Sequence, residues 1–408
     1  MAMAMEEVDP RAKGRFYRKG TRAYRRVSLA LFAAGVATFA VLYCVQPLFP
    51  IFTDEMGLSP SEASLSLSVS TVMLAVSLPA AAFISDRIGR RAIMSFSLII
   101  ASLCCLCTAA APNFTVLLCL RAVEGIVLAG LPAVAMTYLA EEMDSGSLGF
   151  AIGLYVSGTT VGGLFGRVAV SLVTELTNWR WGIGAIAIVS LLAGVYFWRT
   201  LPPSRHFKPR RQKLSFTLGL FAVQFRNYGL VCLFVLAAIL MGGFVTLYNY
   251  LTFRLIAEPF RLSHALTAWI FCLYLMGTYS SFYMGRLSDR LGRPVVMWIN
   301  ISLMLIGGLL TLSSYLPLLI AGVAVFTFGF FGGHSTASSW VGMKASIGKA
   351  QAASLYLLFY YIGSSIGGSS GGLFWSRFGW NGVIGMIAAL LLVAMLILVS
   401  FTAFAKQK

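Results

Sequence analysis

Ser85-Asp86-Arg87-Ile88-Gly89-Arg90-Arg91 and Ser288-Asp289-Arg290-Leu291-Gly292-Arg293-Pro294 are one pattern written twice, 203 residues apart. Each copy lies between two long apolar stretches, so a basic turn recurs at half-chain distance. Other pairs keep nearly the same spacing. Leu154-Tyr155 with Gly158, Gly162, Gly163 and Gly166 returns as Phe359-Tyr360 with Gly363, Gly367, Gly368 and Gly371, at an offset of 205. Leu42-Tyr43 returns as Leu247-Tyr248 at that same offset, and Trp179 returns as Trp380 at 201. The chain reads as two related halves in parallel repeat.

Hydrophobic residues make up 58% of the 408 and charged residues 11%, against about 25% charged in a soluble domain. Such a chain belongs in a bilayer, where a crossing helix needs about 20 apolar residues. Windows of that size fall near 27–50, 64–85, 92–111, 114–139, 148–172, 181–200, 228–252, 266–285, 295–314, 317–341, 351–373 and 381–403. The expected fold is all-α and integral to the membrane, with twelve transmembrane helices in two pseudo-symmetric six-helix bundles. A basic tail (1–26) leads into the first bundle (27–200), and a linker (201–227) joins it to the second (228–408).

Of 31 Lys and Arg, 25 fall on one side of this topology, mainly in the tail, the 199–226 segment and beside the repeated turns. That asymmetry predicts cytoplasmic termini and cytoplasmic turns. It accounts for a net charge of +17 without a nucleic-acid surface. The linker charges Arg205, Lys208, Arg210, Arg211 and Lys213 would sit at anionic lipid or simply in solvent. The apolar run 27–52 is too long for the core of a cleavable signal, which spans about 7–15 residues. All seven cysteines lie in apolar stretches without acid or His beside them, so they read as small buried hydrophobes and not as a disulfide or metal framework.

In each basic turn the Asp ends a helix, the Gly permits a tight reversal, and the Arg residues can reach carboxylates or lipid phosphate. Asp86, Arg87, Gly89 and Arg90, with Gly285, Asp289, Arg290, Gly292 and Arg293, are candidate conformational latches. Plain topogenic charge would need no fixed Asp or Gly. In the fourth window, Arg121 and Glu124 stand one turn apart on one helix face. A charge near the bilayer centre costs about 2.5–3.5 kcal/mol on insertion scales. Burial and a neighbouring cation act in opposite senses on a carboxylate, which is what a proton carrier needs. The pair is the candidate proton-coupling site, and a static packing pair is the competing reading.

Small residues at every fourth position let helices approach closely, which makes Gly158, Gly162, Gly163, Gly166, Gly363, Gly367, Gly368 and Gly371 candidate packing positions. Tyr43, Gln46, Tyr155, Tyr248, Asn249, His334 and Tyr360 are polar or aromatic groups in otherwise apolar windows, and are candidates for a substrate cavity. Such a cavity suits amphipathic or cationic organic compounds. Hydrogen bonding between helices is the competing role for each tyrosine, and a backbone bond for His334.

The turns resemble the signature G-x-x-x-D-R-x-G-R-[RK] between the second and third helices of the major facilitator superfamily. The second copy is complete, while the first has Ala82 at its glycine position, so looser packing is expected there. Arg121 to Gly125 is similar to the superfamily's R-x-x-x-G element, tied to proton transfer in proton-coupled members, with Glu124 where an amide is common. The fifth-window run resembles the exporters' G-x-x-x-G-P-x-x-G-G, with Gly163 for the proline and Arg167 for the last glycine. Leu42-Tyr43-Cys44-Val45-Gln46-Pro47, Met136-Thr137-Tyr138-Leu139-Ala140-Glu141-Glu142 and Trp179-Arg180 resemble bacterial efflux members.

The resemblance covers nearly the whole chain. It implies a cavity lined by helices one, four, seven and ten, transport of a small molecule by alternating access, a functional monomer, and a bacterial inner membrane. The expectation is proton-coupled export of a small organic or amphipathic compound, with the proton gradient as energy source and no cofactor; proton-coupled uptake of a metabolite is the alternative. No G-x-x-x-x-G-K-[ST] loop for ATP is present. Three scattered histidines (206, 264 and 334) do not suggest an embedded enzyme. A channel would differ in showing rates that fail to saturate.

Overall fold

A computed structural model describes residues 16–207 and 214–406. Most of the basic tail (1–15), linker residues 208–213 with Lys208, Arg210, Arg211 and Lys213, and residues 407–408 lie outside the described residues. Among the described residues, eleven helices are long and apolar enough to cross a bilayer. They begin with α1 Arg22–Met56, α2 Pro60–Ile88, α3 Arg90–Ala109, α4 Phe114–Glu142, α5 Gly146–Leu176 and α6 Trp179–Thr200. After the linker come α7 Tyr228–Ile256, α8 His264–Leu291, α9 Arg293–Leu310 and α10 Leu316–Lys344. The last, Lys349–Thr402, bends at Gly379 (φ 59°, ψ −149°) into two arms, α11 (349–378) and α12 (380–402). Twelve crossings result.

Three crossings read as continuous from hydropathy are interrupted. α1 stops at Tyr43 and resumes at Phe49 after a 3₁₀ turn, Gln46–Leu48. α4 stops at Leu128 and resumes at Pro132. Proline has no N–H, and its ring strikes the carbonyl four residues earlier. For Pro47 and Pro132 those carbonyls belong to Tyr43 and Leu128, where the two helices end. In α8 the segment Trp269–Leu275 winds as 3₁₀ helix, a run longer than that geometry usually sustains. Non-helical backbone at this depth is tolerated where protein or a cavity surrounds it.

The duplication extends to the backbone. Gly89 (φ 100°, ψ 152°) and Gly292 (φ 83°, ψ 148°) share a conformation that side chains disfavour, so the turn requires glycine in both copies. The packing seams also repeat. Gly158, Gly162 and Gly166 of α5 lie against the backbone of Phe32, Val36 and Ala40 of α1. Gly363 and Gly367 of α11 lie against Ala238 and Gly242 of α7, and Gly371 against the side chains of Thr246 and Tyr250. A Cβ at Gly158, Gly162, Gly166, Gly363 or Gly367 would collide with the partner backbone. Gly163 and Gly368 point elsewhere, towards Arg167 and towards Asn249 respectively. Gly285 meets nothing within 4 Å, so the glycine missing from the first turn gives no closer packing in the second.

The two bundles meet at the face opposite the basic turns. On α2 and α11, the Ser61 hydroxyl donates to the Ser369 carbonyl (2.7 Å), Thr71 and Ser365 share a hydroxyl bond (2.7 Å), and the Ser369 hydroxyl reaches that of Ser68 (2.9 Å). Glu175 on α5 accepts from the Ala265 N–H at the start of α8 (3.1 Å). At the basic face parts of the described linker are docked, while others, the Arg205 side chain among them, stay exposed. The Arg205 and His206 N–H groups donate to Glu142 (2.6 and 2.9 Å), and Phe16 stacks on His206 at 4.3 Å. After the short helix Leu214–Gln224, the Gln224 amide donates to the Ile347 carbonyl of the second half (2.9 Å).

Overpacking a tight contact costs about 1–3 kcal/mol. Gly162→Ala and Gly363→Ala should therefore lower the thermal midpoint of the purified protein, and Gly285→Ala should leave it unchanged; equal midpoints for all three would remove the seam assignment.

Candidate functional site

α4 brings Arg121 and Glu124 to the centre of the first bundle, both at 0% exposure. The Arg121 guanidinium donates to Glu124 Oε1. It also donates to three carbonyls: Ser66 on α2 at 2.8 Å, Val41 at 3.2 Å and Leu42 at 2.7 Å. Val41 and Leu42 close the first arm of α1, where a helix end leaves carbonyls without partners. Arg121 thus caps a broken helix and pairs with a carboxylate at once. Ser70 donates to the Arg121 carbonyl (2.8 Å), and Gly125 lets α4 rest directly on the Ser70 backbone. Glu124 Oε2 has no hydrogen-bond partner among the described residues.

A second buried arginine, Arg167 on α5, was legible in the sequence as a charge within an apolar window and as a departure from a glycine pattern, with no role assigned to it. It is 1% exposed. Its Nε donates to Gln46 Oε1 (2.6 Å), Nη1 to the Gly163 carbonyl (2.6 Å) and Nη2 to the Tyr274 hydroxyl (3.3 Å). The rings of Tyr43, Tyr274 and Phe271 stand 4.1, 4.6 and 5.1 Å from the guanidinium carbon. Among the described residues no carboxylate pairs with it. Gln46 in turn donates to Asn249 of α7 (2.6 Å), so the break in α1 is hydrogen-bonded to both halves.

Arg167 forms part of the wall of a cavity of about 630 Å³ between the bundles. The lining runs from Gly153, Ser157 and Ser281, towards the basic face, to Tyr43, Arg167 and Tyr274, near the sealed face. Of the residues expected there, Tyr43, His334 and Tyr360 line it. Gln46 and Asn249 lie behind the wall as the cross-bundle link. Tyr155 packs in the core of the first bundle, and Tyr248 shares a hydroxyl bond with Thr327 (2.8 Å) at 0% exposure. His334 is bonded to the Tyr356 hydroxyl through Nδ1 (2.9 Å). The walls come from α1, α5, α7, α8, α10 and α11, with none from α4, in contrast to the set of helices implied by the resemblance. Phe244, Phe330 and Tyr274 complete an aromatic surface that sequence reasoning missed. Among the described residues no acidic side chain lines it, so the expectation of a cationic solute finds no counter-charge in this wall.

The two basic turns share a backbone and differ in their ionic contacts. Arg90 donates to Asp86 (2.5 Å) and to both oxygens of Glu141 (2.9 and 3.2 Å), a fork that ties α2, α3 and α4 together. Arg87 stacks on Phe83 at 4.4 Å. In the second copy Arg293 reaches the Ser339 hydroxyl at 3.4 Å, and Asp289 and Arg290 form no ion pair among the described residues. The cause is visible in the sequence: where α4 ends in Glu141-Glu142, α10 ends in Met343-Lys344. The copy with the full glycine pattern is the one without the ion network.

The family model for the Major Facilitator Superfamily matches residues 31–255 and 250–407. An uncharacterized MFS-type transporter, YybF of Bacillus subtilis, is 49% identical over 93% of this chain and 94% of its own length. The inner membrane transport protein YnfM of Escherichia coli is 44% identical over 94% of this chain and 92% of its own. Among solved structures, a bacterial homologue of the human lysosomal transporter Spinster, in an inward-facing and occupied conformation, superposes with a TM-score of 0.76 at 16% identity. It covers 95% of this chain and 98% of the other. With its duplicated six-helix bundles, its paired basic turns and these matches across nearly its full length, the chain belongs to the major facilitator superfamily of transporters.

Proposed function

We propose that this transporter exports a small organic solute from the bacterial cytoplasm across the inner membrane, driven by protons moving inward, with Glu124 as the proton site. The observation that carries the reading is the fully buried Glu124 carboxylate, with one oxygen engaged by Arg121 and the other without a partner. An ionisable group at that depth is rarely kept without a transport role. Protonation removes the charge that Arg121 pairs with, and the same guanidinium holds the carbonyls of Val41 and Leu42. One turn further along α1, Gln46 is bonded to Asn249 of the other half. Protonation of Glu124 therefore changes the charge balance around the guanidinium that holds the joint in α1, which ties the proton site to the closure between the halves.

The basic face is the cytoplasmic one on the charge asymmetry of the chain, with both termini on that side. Solute enters the cavity from there while the hydroxyl contacts between α2 and α11 seal the outside. Rocking of one bundle against the other then exposes the same cavity outward. The Asp86–Arg90–Glu141 network holds the cytoplasmic ends of α2, α3 and α4 together during that motion. No cofactor enters this cycle.

The solute can be identified by screening a deletion strain for new sensitivity to toxic compounds. In proteoliposomes under an imposed pH gradient, an antiported solute accumulates in the more acidic compartment; accumulation in the alkaline one would mean symport and uptake. Glu124→Gln keeps an acceptor for Arg121, and should lower gradient-driven accumulation by about ten-fold or more while solute exchange without a gradient persists. An unchanged rate under the gradient would remove the proton role. Asp86→Asn and Asp289→Asn should both slow transport with solute affinity nearly intact, the Asp86 effect being the larger; unaffected rates in both would leave these turns as topogenic charge alone.

A further inference from the structure

We infer, resting on the reading of the central cavity as the transport site, that the solute is an organic anion with an apolar, ring-compatible body, whose anionic group pairs with Arg167 in place of the Tyr274 hydroxyl. The two fully buried arginines of the first bundle, Arg121 and Arg167, differ in one respect. Arg121 has a carboxylate beside it, and Arg167, equally deep, has none among the described residues. A guanidinium does not lose its proton in proteins, so its charge cannot be removed by titration. Closing the cavity around a solute strips water from this wall, and an unpaired charge then lacks both solvent and partner. An arriving anion supplies the missing partner. A cation would add a like charge.

The local geometry leaves room for one. Of the five guanidinium N–H donors, three are spent, and the bond to the Tyr274 hydroxyl is the longest at 3.3 Å. Aromatic rings cover the guanidinium faces, which leaves its edge for acceptors. Gly163 stands beside that edge, where a Cβ would lie 3.1 Å from Nη1. Tyr274 is carried on the 3₁₀ segment Trp269–Leu275, the type of irregular turn that marks hinges, so its hydroxyl can be displaced without unwinding a regular helix. The remaining wall, with Phe39, Phe244, Phe330 and Tyr360, offers apolar ring contact and no acidic group.

The test is a titration of the purified full-length protein in lipid nanodiscs by calorimetry. Three probes share one body: 2-naphthoate, neutral 2-naphthamide and cationic 2-naphthylmethylammonium. Naphthoate should bind about ten-fold more tightly than the amide, the increment of a charge-assisted hydrogen bond, and the ammonium most weakly. Arg167→Gln should erase that order. Because this change removes three hydrogen bonds and can unfold the protein, Tyr274→Phe serves as a second variant. It frees an Arg167 N–H, so it should tighten naphthoate several-fold and leave the amide unchanged, whereas a purely structural tyrosine would weaken all three alike. The proposal is overturned by an amide or ammonium that binds as well as naphthoate, by naphthoate failing to bind at millimolar concentration, by an order that survives Arg167→Gln, or by uniform weakening in Tyr274→Phe. These titrations use no pH gradient, so they stand or fall separately from the accumulation measurement that tests coupling.

Discussion

A helix interrupted within a bilayer leaves carbonyls that no water can reach, and the break in α1 at Pro47 sets that problem at the centre of this protein. Two arginines and a glutamine answer it. Arg121 takes the carbonyls of Val41 and Leu42. Arg167 takes the Gln46 side chain that projects from the 3₁₀ turn, and Gln46 passes the connection to Asn249 on the other half. Each unsatisfied backbone group in hydrocarbon would cost several kcal/mol, so these side chains cannot leave independently of the helix. What happens to either arginine is therefore felt at the joint between the bundles.

Duplication has been kept where it carries shape and relaxed where it carries charge. The glycine seams of α1 with α5 and of α7 with α11 match in their backbone contacts at Gly158 and Gly363 and at Gly162 and Gly367, and the glycine turns at 89 and 292 share one conformation. Outside the basic turns, the charged groups do not match. Glu141, Arg121, Glu124 and Arg167 all belong to the first half, and their counterparts in the second are neutral or absent. A packing seam constrains each half by the same sterics, since at these two pairs a Cβ collides with a backbone in either copy. A coupling site and a solute charge partner, the roles proposed for these groups, would each be needed once. The second bundle contributes aromatic surface instead, through Phe244, Tyr274, Phe330 and His334.

Twelve crossings, the duplication and the basic turns were legible because hydropathy and spacing are properties of the chain taken in order. The breaks in α1 and α4 were not read from hydropathy, since windows of about 20 residues average across them, although Pro47 and Pro132 mark both. The role of Arg167 depends on groups from α1 and α8, which no local pattern brings near residue 167. Tyr155 and Tyr248 illustrate the opposite error. Each is a polar group in an apolar crossing, yet the rotation of its helix turns it into packed protein, and that rotation is set by the seam glycines. Glu141 was visible as part of a family-like stretch, but its partner Arg90 lies on another helix.

The seal between α2 and α11 is made by the small hydroxyls of Ser61, Ser68, Thr71, Ser365 and Ser369. A hydroxyl bond of this kind contributes about 0.5–1.5 kcal/mol net, because water can stand in for either partner. If this face parts in the proposed cycle, water can wet each position in turn and no bare charge is left in a low-dielectric seam. The gate is thus held by contacts of the same order as the energy of one charge crossing a typical membrane potential, about 2.3 kcal/mol per 100 mV. A clasp of buried ion pairs would have been harder to part, since breaking one leaves an uncompensated buried charge. A seam of serine and threonine hydroxyls can be opened and remade one bond at a time, which suits the gradient-driven cycle proposed for this chain.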